Sequence, residues 1–160
     1  MKPVCALVLA AALAPAAEVA AVRFHASAFD PAAPPAGWRV WAPRPEIAPR
    51  TFVEAIESLG EPGSLAASGN SNPGVFGGWE HKIGGIRAGR WYRLVAHYRA
   101  LSTPYERNQI LARIDWQKTN GKHAGQANNG WQVAAQGDWK RVTLEAPLPP
   151  QLEAVLAALL

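Results

Sequence analysis

The chain has 160 residues, a formal charge of +4 and 49% hydrophobic residues. That length allows one domain, and basic residues scattered without a run of five or six argue against a nucleic-acid footprint. One cysteine excludes an internal disulfide, and 14 Pro, 14 Gly and 7 Trp point to short strands joined by turns.

Residues 1–20 read as a secretory signal peptide. Lys2 supplies the positive start, residues 4–13 the apolar run, and Ala14-Pro15-Ala16 the small residues for cleavage. The run is short for a bilayer span, so an uncleaved anchor is the lesser alternative, and no membrane contact is expected once the leader is gone. Cys5 precedes the apolar run, which is the wrong place for lipid modification at a cleavage point. The location expected is secreted or periplasmic. Residues 21–36 form a lead-in: RFHASAFD at 23–30 reads as a first strand or extended approach, and a Pro/Ala linker follows at 31–35.

Residues 37–160 carry the strand patterns. Gly37-Trp38-Arg39-Val40-Trp41 places Trp38 and Val40 on one side, Arg39 and Trp41 on the other. TFVEAIES at 51–58 allows a short helix, but its β-branched residues and the Gly60-Glu61-Pro62-Gly63 turn that follows favour strand. A short strand at 64–68 and a loop at 69–74 follow. Residues 75–83 are interrupted by Gly77-Gly78, which predicts a bulge or a close backbone approach.

WYRLVAHYRA at 91–100 is the clearest strand. Tyr92, Leu94, Ala96 and Tyr98 share an apolar face, while Arg93, Val95, His97 and Arg99 share a largely basic one. After a loop at 101–107, residues 108–118 give a second strand. It sets Ile110, Ala112, Ile114 and Trp116 against Leu111, Arg113, Asp115 and Gln117. Asn120-Gly121 centres a hairpin-type turn. Asn128-Asn129-Gly130 leads to Trp131, Gly137-Asp138 turns, and WKRVTL at 139–144 is a further strand. QLEAVLAALL at the end fits helix by propensity and strand by position. Strands about ten residues apart with Gly, Asn and Pro between them predict an all-β, antiparallel β-sandwich.

Three pieces in order carry a resemblance: residues 85–94 (GIRAGRWYRL), the strand 110–116, and the corner 137–142 (GDWKRV). Their sequence of turn, core strand and Trp corner resembles the carbohydrate-binding, galactose-binding-like jelly-roll modules attached to secreted bacterial enzymes. The resemblance implies a jelly roll over most of residues 37–160, no catalysis, and a glycan or polysaccharide as partner. Such modules close with one further strand, so the expectation is a sandwich lacking its last strand, or a C-terminally truncated piece. The family's structural calcium is not expected, because the chain has only three Asp. WRVWAPRPEIAP at 38–49 is also similar to segments preceding carbon-nitrogen hydrolase (nitrilase-like) domains. That implies the alternative: a structural leading domain of a larger enzyme, with a downstream catalytic domain as partner.

Catalytic arrangements are weak. His25, His81, His97 and His123 lack metal-ligand spacing, so neither metal nor other cofactor is expected. Ser102, His97 and Asp115 make a triad only on paper, without a nucleophile elbow. Glu80 and Asp115 are acids with nothing in the sequence to say that they face each other. Gly84-Gly85-Ile86 lacks the features of a phosphate loop. A binding face remains. His97, Arg99, Arg113, Asp115 and Gln117 would share one side if their strands are neighbours, and Trp79, Trp131 and Tyr105 would add stacking rings.

Overall fold

The computed structural model describes residues 36–60, 63–149 and 154–159. The leader, the lead-in and its strand at 23–30 lie outside them. The described fold is all-β apart from single helical turns at Pro45–Ile47 and at α1 (Glu106–Gln109).

The strands are β1 (Trp38–Trp41), β2 (Arg50–Glu54), β3 (Ser64–Ser68), β4 (Gly78–Ile83), β5 (Trp91–Tyr98), β6 (Ala112–Lys118), β7 (Asn128–Gly130), β8 (Gln132–Gln136), β9 (Trp139–Pro147) and β10 (Ala154–Leu159). They make a five-stranded sheet ordered β1-β4-β10-β6-β7, a three-stranded sheet β5-β9-β8 and a two-stranded sheet β2-β3. Every pairing is antiparallel.

The five-stranded and three-stranded sheets meet in one core. Ile114 and Trp116 from β6 pack with Leu144 and Ala146 from β9 and with Leu148, while Ile83, Tyr92 and Leu94 close around them. Removing such side chains from water is the main stabilising term of a fold without disulfides. The Trp116 indole N–H donates to Asn128 Oδ1 at 2.9 Å, which satisfies the one polar atom of that ring. Tyr92 meets Trp116 edge to face.

β5 keeps its expected alternation. Tyr92, Leu94, Ala96 and Tyr98 turn inward, and Arg93 and His97 are exposed. The segment at 108–118 differs: residues up to Gln109 form the helical turn α1, and the strand begins only at Ala112. Residues 154–159, ambiguous between helix and strand, form a strand in the middle of the larger sheet. β10 has β4 on one side and β6 on the other.

Two glycines fix close approaches. A Cβ on Gly77 (φ +151°) would lie 2.4 Å from the Trp41 carbonyl oxygen and 2.8 Å from Pro49 Cδ. This is the close approach that the sequence signalled. A Cβ on Gly130 would lie 3.0 Å from Val142 Cγ2, at the point where the chain leaves β7 in one sheet for β8 in the other.

Candidate functional site: a polar cleft on the five-stranded sheet

β6 presents Ile114 and Trp116 to the core, so alternation turns Arg113, Asp115 and Gln117 to the far side of the sheet. A strand face of that composition is ordinarily solvated. Here Asp115 is only 6% exposed and Gln117 is also buried. The chain beyond β6 covers them. It turns at Asn120-Gly121, with Gly121 at φ +79° and its N–H donating to the Lys118 carbonyl at 2.8 Å. It then runs back along β6, where His123 forms a bridge to Gln117 and the Ala124 N–H donates to the Trp116 carbonyl.

The result is a cleft of about 230 Å³ lined by Trp41 from β1, Glu80 from β4, Arg113 and Asp115 from β6, and His123 with 125–127 from the returning segment. The two acids are held differently. Glu80, fully buried, is ion-paired with Arg39 on the adjacent strand, at the register position directly opposite. Asp115 accepts a hydrogen bond from Gln117 Nε2 at 3.1 Å and lies 2.9 Å from His123 Nδ1. Burial of each carboxylate is thus compensated by partners.

Arg113 is the exception. Its Nε is buried and has no hydrogen-bond partner among the described residues. The same holds for Oδ1 of Asn129, the residue directly opposite it on β7. Such orphan atoms are rare in folded proteins. Among the described residues the cleft therefore combines the Trp41 indole and the His123 imidazole with two fixed carboxylates and a guanidinium whose Nε has no partner there. Among the described residues no Ser, Thr or Cys lines it.

The expected binding face divides. Arg113 and Asp115 line the cleft, and Gln117 supports Asp115. His97 and Arg99 do not join them, because β5 and β6 belong to different sheets. Each strand turns its polar face away from the core that the two sheets share, so those faces point apart. His97 is exposed beside Arg141, and Arg99 is ion-paired with Glu57 at 2.8 Å. The Ser102–His97–Asp115 set falls with the same separation.

The rings divide too. Trp79 is 4% exposed and donates its indole N–H to the Ala66 carbonyl at 2.9 Å, so it anchors β3 and offers no stacking surface. Trp131 and Tyr105 are exposed, at 68% and 70%, but neither lines the cleft. Trp41, Glu80 and His123 were missing from the expected face. The alternation of β1 does put Trp41 beside Arg39, opposite Trp38 and Val40, and that was the available signal.

Among the described residues no group of three or more His, Cys, Asp or Glu is placed to hold a metal ion. No described helix is long and apolar enough to cross a membrane. Comparison with protein-family models, with curated proteins and with solved structures finds no match.

Proposed function

We propose that the chain is a secreted, non-catalytic accessory module of β-sandwich, jelly-roll type that binds carbohydrate in the cleft on its five-stranded sheet. Its role is to keep an attached catalytic domain near a glycan. The observation that carries this reading is the convergence of Trp41, Glu80, Arg113 and Asp115 on one cleft. A pyranose presents C–H faces that stack on an indole and hydroxyls that need donors and acceptors at fixed angles. Trp41 is held for the first task by its edge-to-face contact with Phe76, at 5.7 Å between centroids. Asp115 is fixed for the second by Gln117 and His123, and Arg113 lines the same cleft, its Nε buried and without a hydrogen-bond partner among the described residues. The cleft volume suits about one sugar unit of a longer chain.

The test is a glycan array with the purified chain, followed by calorimetry on the best binder. Trp41→Ala and Arg113→Ala are expected to lower affinity at least tenfold, while His97→Ala leaves it unchanged. An array without binders, or binding indifferent to Trp41 and Arg113, would falsify the reading.

A further inference from the structure

We propose that β8 is a pairing edge for a second copy of this chain, the two β8 strands running antiparallel about a two-fold axis at Ala134. β8 closes the three-stranded sheet on one side, and among the described strands only β9 pairs with it. Its sequence, Gln132-Val133-Ala134-Ala135-Gln136, is uncharged and nearly palindromic. Natural edges are usually protected by charge, proline or a bulge, and this one is not. β1, β2 and β5 each carry arginine. β3, also uncharged, has its Ala66 carbonyl occupied by Trp79, and β7, the uncharged edge of the five-stranded sheet, is only three residues long.

The hydrogen-bond phase of the strand fits the same axis. Gln136 and Trp139 flank the two-residue turn Gly137-Asp138, with Gly137 at φ +60°. Residues flanking such a turn form a hydrogen-bonded pair, and the pairs alternate from there. Gln136, Ala134 and Gln132 therefore direct their backbone groups to β9. Val133 and Ala135 direct theirs to the open side.

A two-fold axis at Ala134 sets Val133 of one copy opposite Ala135 of the other. Each such pair exchanges both of its N–H···O bonds. Ala134 then faces Ala134 as a non-hydrogen-bonded pair, and Gln132 faces Gln136, so no like charges meet. Val133, still 40% exposed although its face turns toward the core, gains a neighbour. Trp131 falls opposite Gly137, where the absent side chain leaves room for the indole. The contact is isologous, and it closes the assembly at two copies.

The test is sedimentation of the purified chain over a range of concentrations, with two variants. Ala135→Pro removes an N–H that points to the open edge, so the monomer keeps its β9 pairing and the dimer is expected to be lost. Ala134→Cys, in a Cys5→Ser background, brings two thiols together across an axis where the Cα atoms are about 4.5 Å apart, within disulfide reach. It is expected to form a covalent dimer under mild oxidation, and Gln132→Cys is not. A chain that stays monomeric overturns the proposal. So does an Ala134→Cys variant that cross-links no faster than Gln132→Cys, whether or not the proline variant folds.

Discussion

The carboxylate of Asp115 and Nδ1 of His123 lie 2.9 Å apart, one at the floor of the cleft and the other on the segment that covers it. They are eight residues apart in sequence, joined through the Asn120-Gly121 turn. That contact ties the returning chain to β6 by side chains, beside the backbone bonds of Lys118 and Ala124. Because His123 is largely exposed, its pairing with Asp115 contributes little more than a surface ion pair does. The larger effect is on Asp115, which would otherwise be a buried acid with one partner fewer.

Asp115→Ala is therefore expected to act through the buried side. It removes the acceptor of Gln117 Nε2 and the contact to His123, leaving the buried Gln117 amide unsatisfied. The expected loss is about 1–3 kcal/mol of stability in urea unfolding. Amide exchange at Gly125 and Gln126 is expected to rise more than exchange in β9. Equal acceleration in both regions would mean that Asp115 serves the whole fold and not the cover of the cleft.

Glu106 makes a separate prediction, for pH. Lys140 ion-pairs with its carboxylate and the Tyr98 hydroxyl donates to it at 2.7 Å. The Lys140 bond first, and the Tyr98 bond second, hold the Glu106 carboxyl below the ordinary glutamate range. A lowered folded value contributes stability above the unfolded value, and that contribution fades as pH falls through the folded one. Tyr98 runs the other way. Burial, then its bond to Glu106, push the phenol up to about 12. Its contribution is complete below the ordinary tyrosine value and is lost as pH rises through about 12. Glu106→Gln is expected to flatten the acid side of the stability profile and to bring the Tyr98 phenol back toward its ordinary value. The ring-carbon NMR signal of Tyr98 reports it directly, and an unmoved titration would remove Glu106 as a cause.

The sequence made β5 legible and half of β6. In β5, core and water occupy opposite faces, so alternation and burial agree. In β6 the polar row Arg113, Asp115, Gln117 looks solvated by the same rule, yet Asp115 and Gln117 are buried. The cause is a segment folding back over the strand, and nothing in the local pattern encodes it. Sheet membership is equally non-local: β5 and β6 read alike, but their partners are β9 in one case and β10 with β7 in the other. Trp79 misled for a similar reason, since its indole is satisfied by a backbone carbonyl thirteen residues away. Gly77 and the Asn120-Gly121 turn were readable because glycine reports on the backbone itself.

Trp116→Phe tests the core. The smaller ring leaves a cavity in the core, and Asn128 Oδ1 loses the indole N–H that reaches it at 2.9 Å. The expected cost is about 1–3 kcal/mol in urea unfolding. Asn128→Ala leaves the buried indole N–H without its acceptor and is expected to cost a similar amount. The double variant is expected to cost less than the sum of the two, because the pair shares one interaction. Strict additivity would show that the bond contributes nothing.

Gly77→Ala reaches the cleft from behind. A methyl there would sit 2.4 Å from the Trp41 carbonyl oxygen, and backbone cannot yield as a flexible side chain does. The φ of +151° adds strain for any L side chain. β1 must then move away from β4, where Trp41 pairs with Gly78, and Trp41 carries the cleft wall with it. The expected loss is about 2–4 kcal/mol of stability. Glycan affinity is expected to fall with it, even at temperatures where the variant remains folded. Gly60→Ala is the control: no atom lies within 4 Å of its added Cβ, although its φ of +96° carries the same kind of backbone strain. If both variants lose stability but keep full affinity, Trp41 is not part of the binding wall, and its position beside Glu80 and Arg113 is a matter of packing alone.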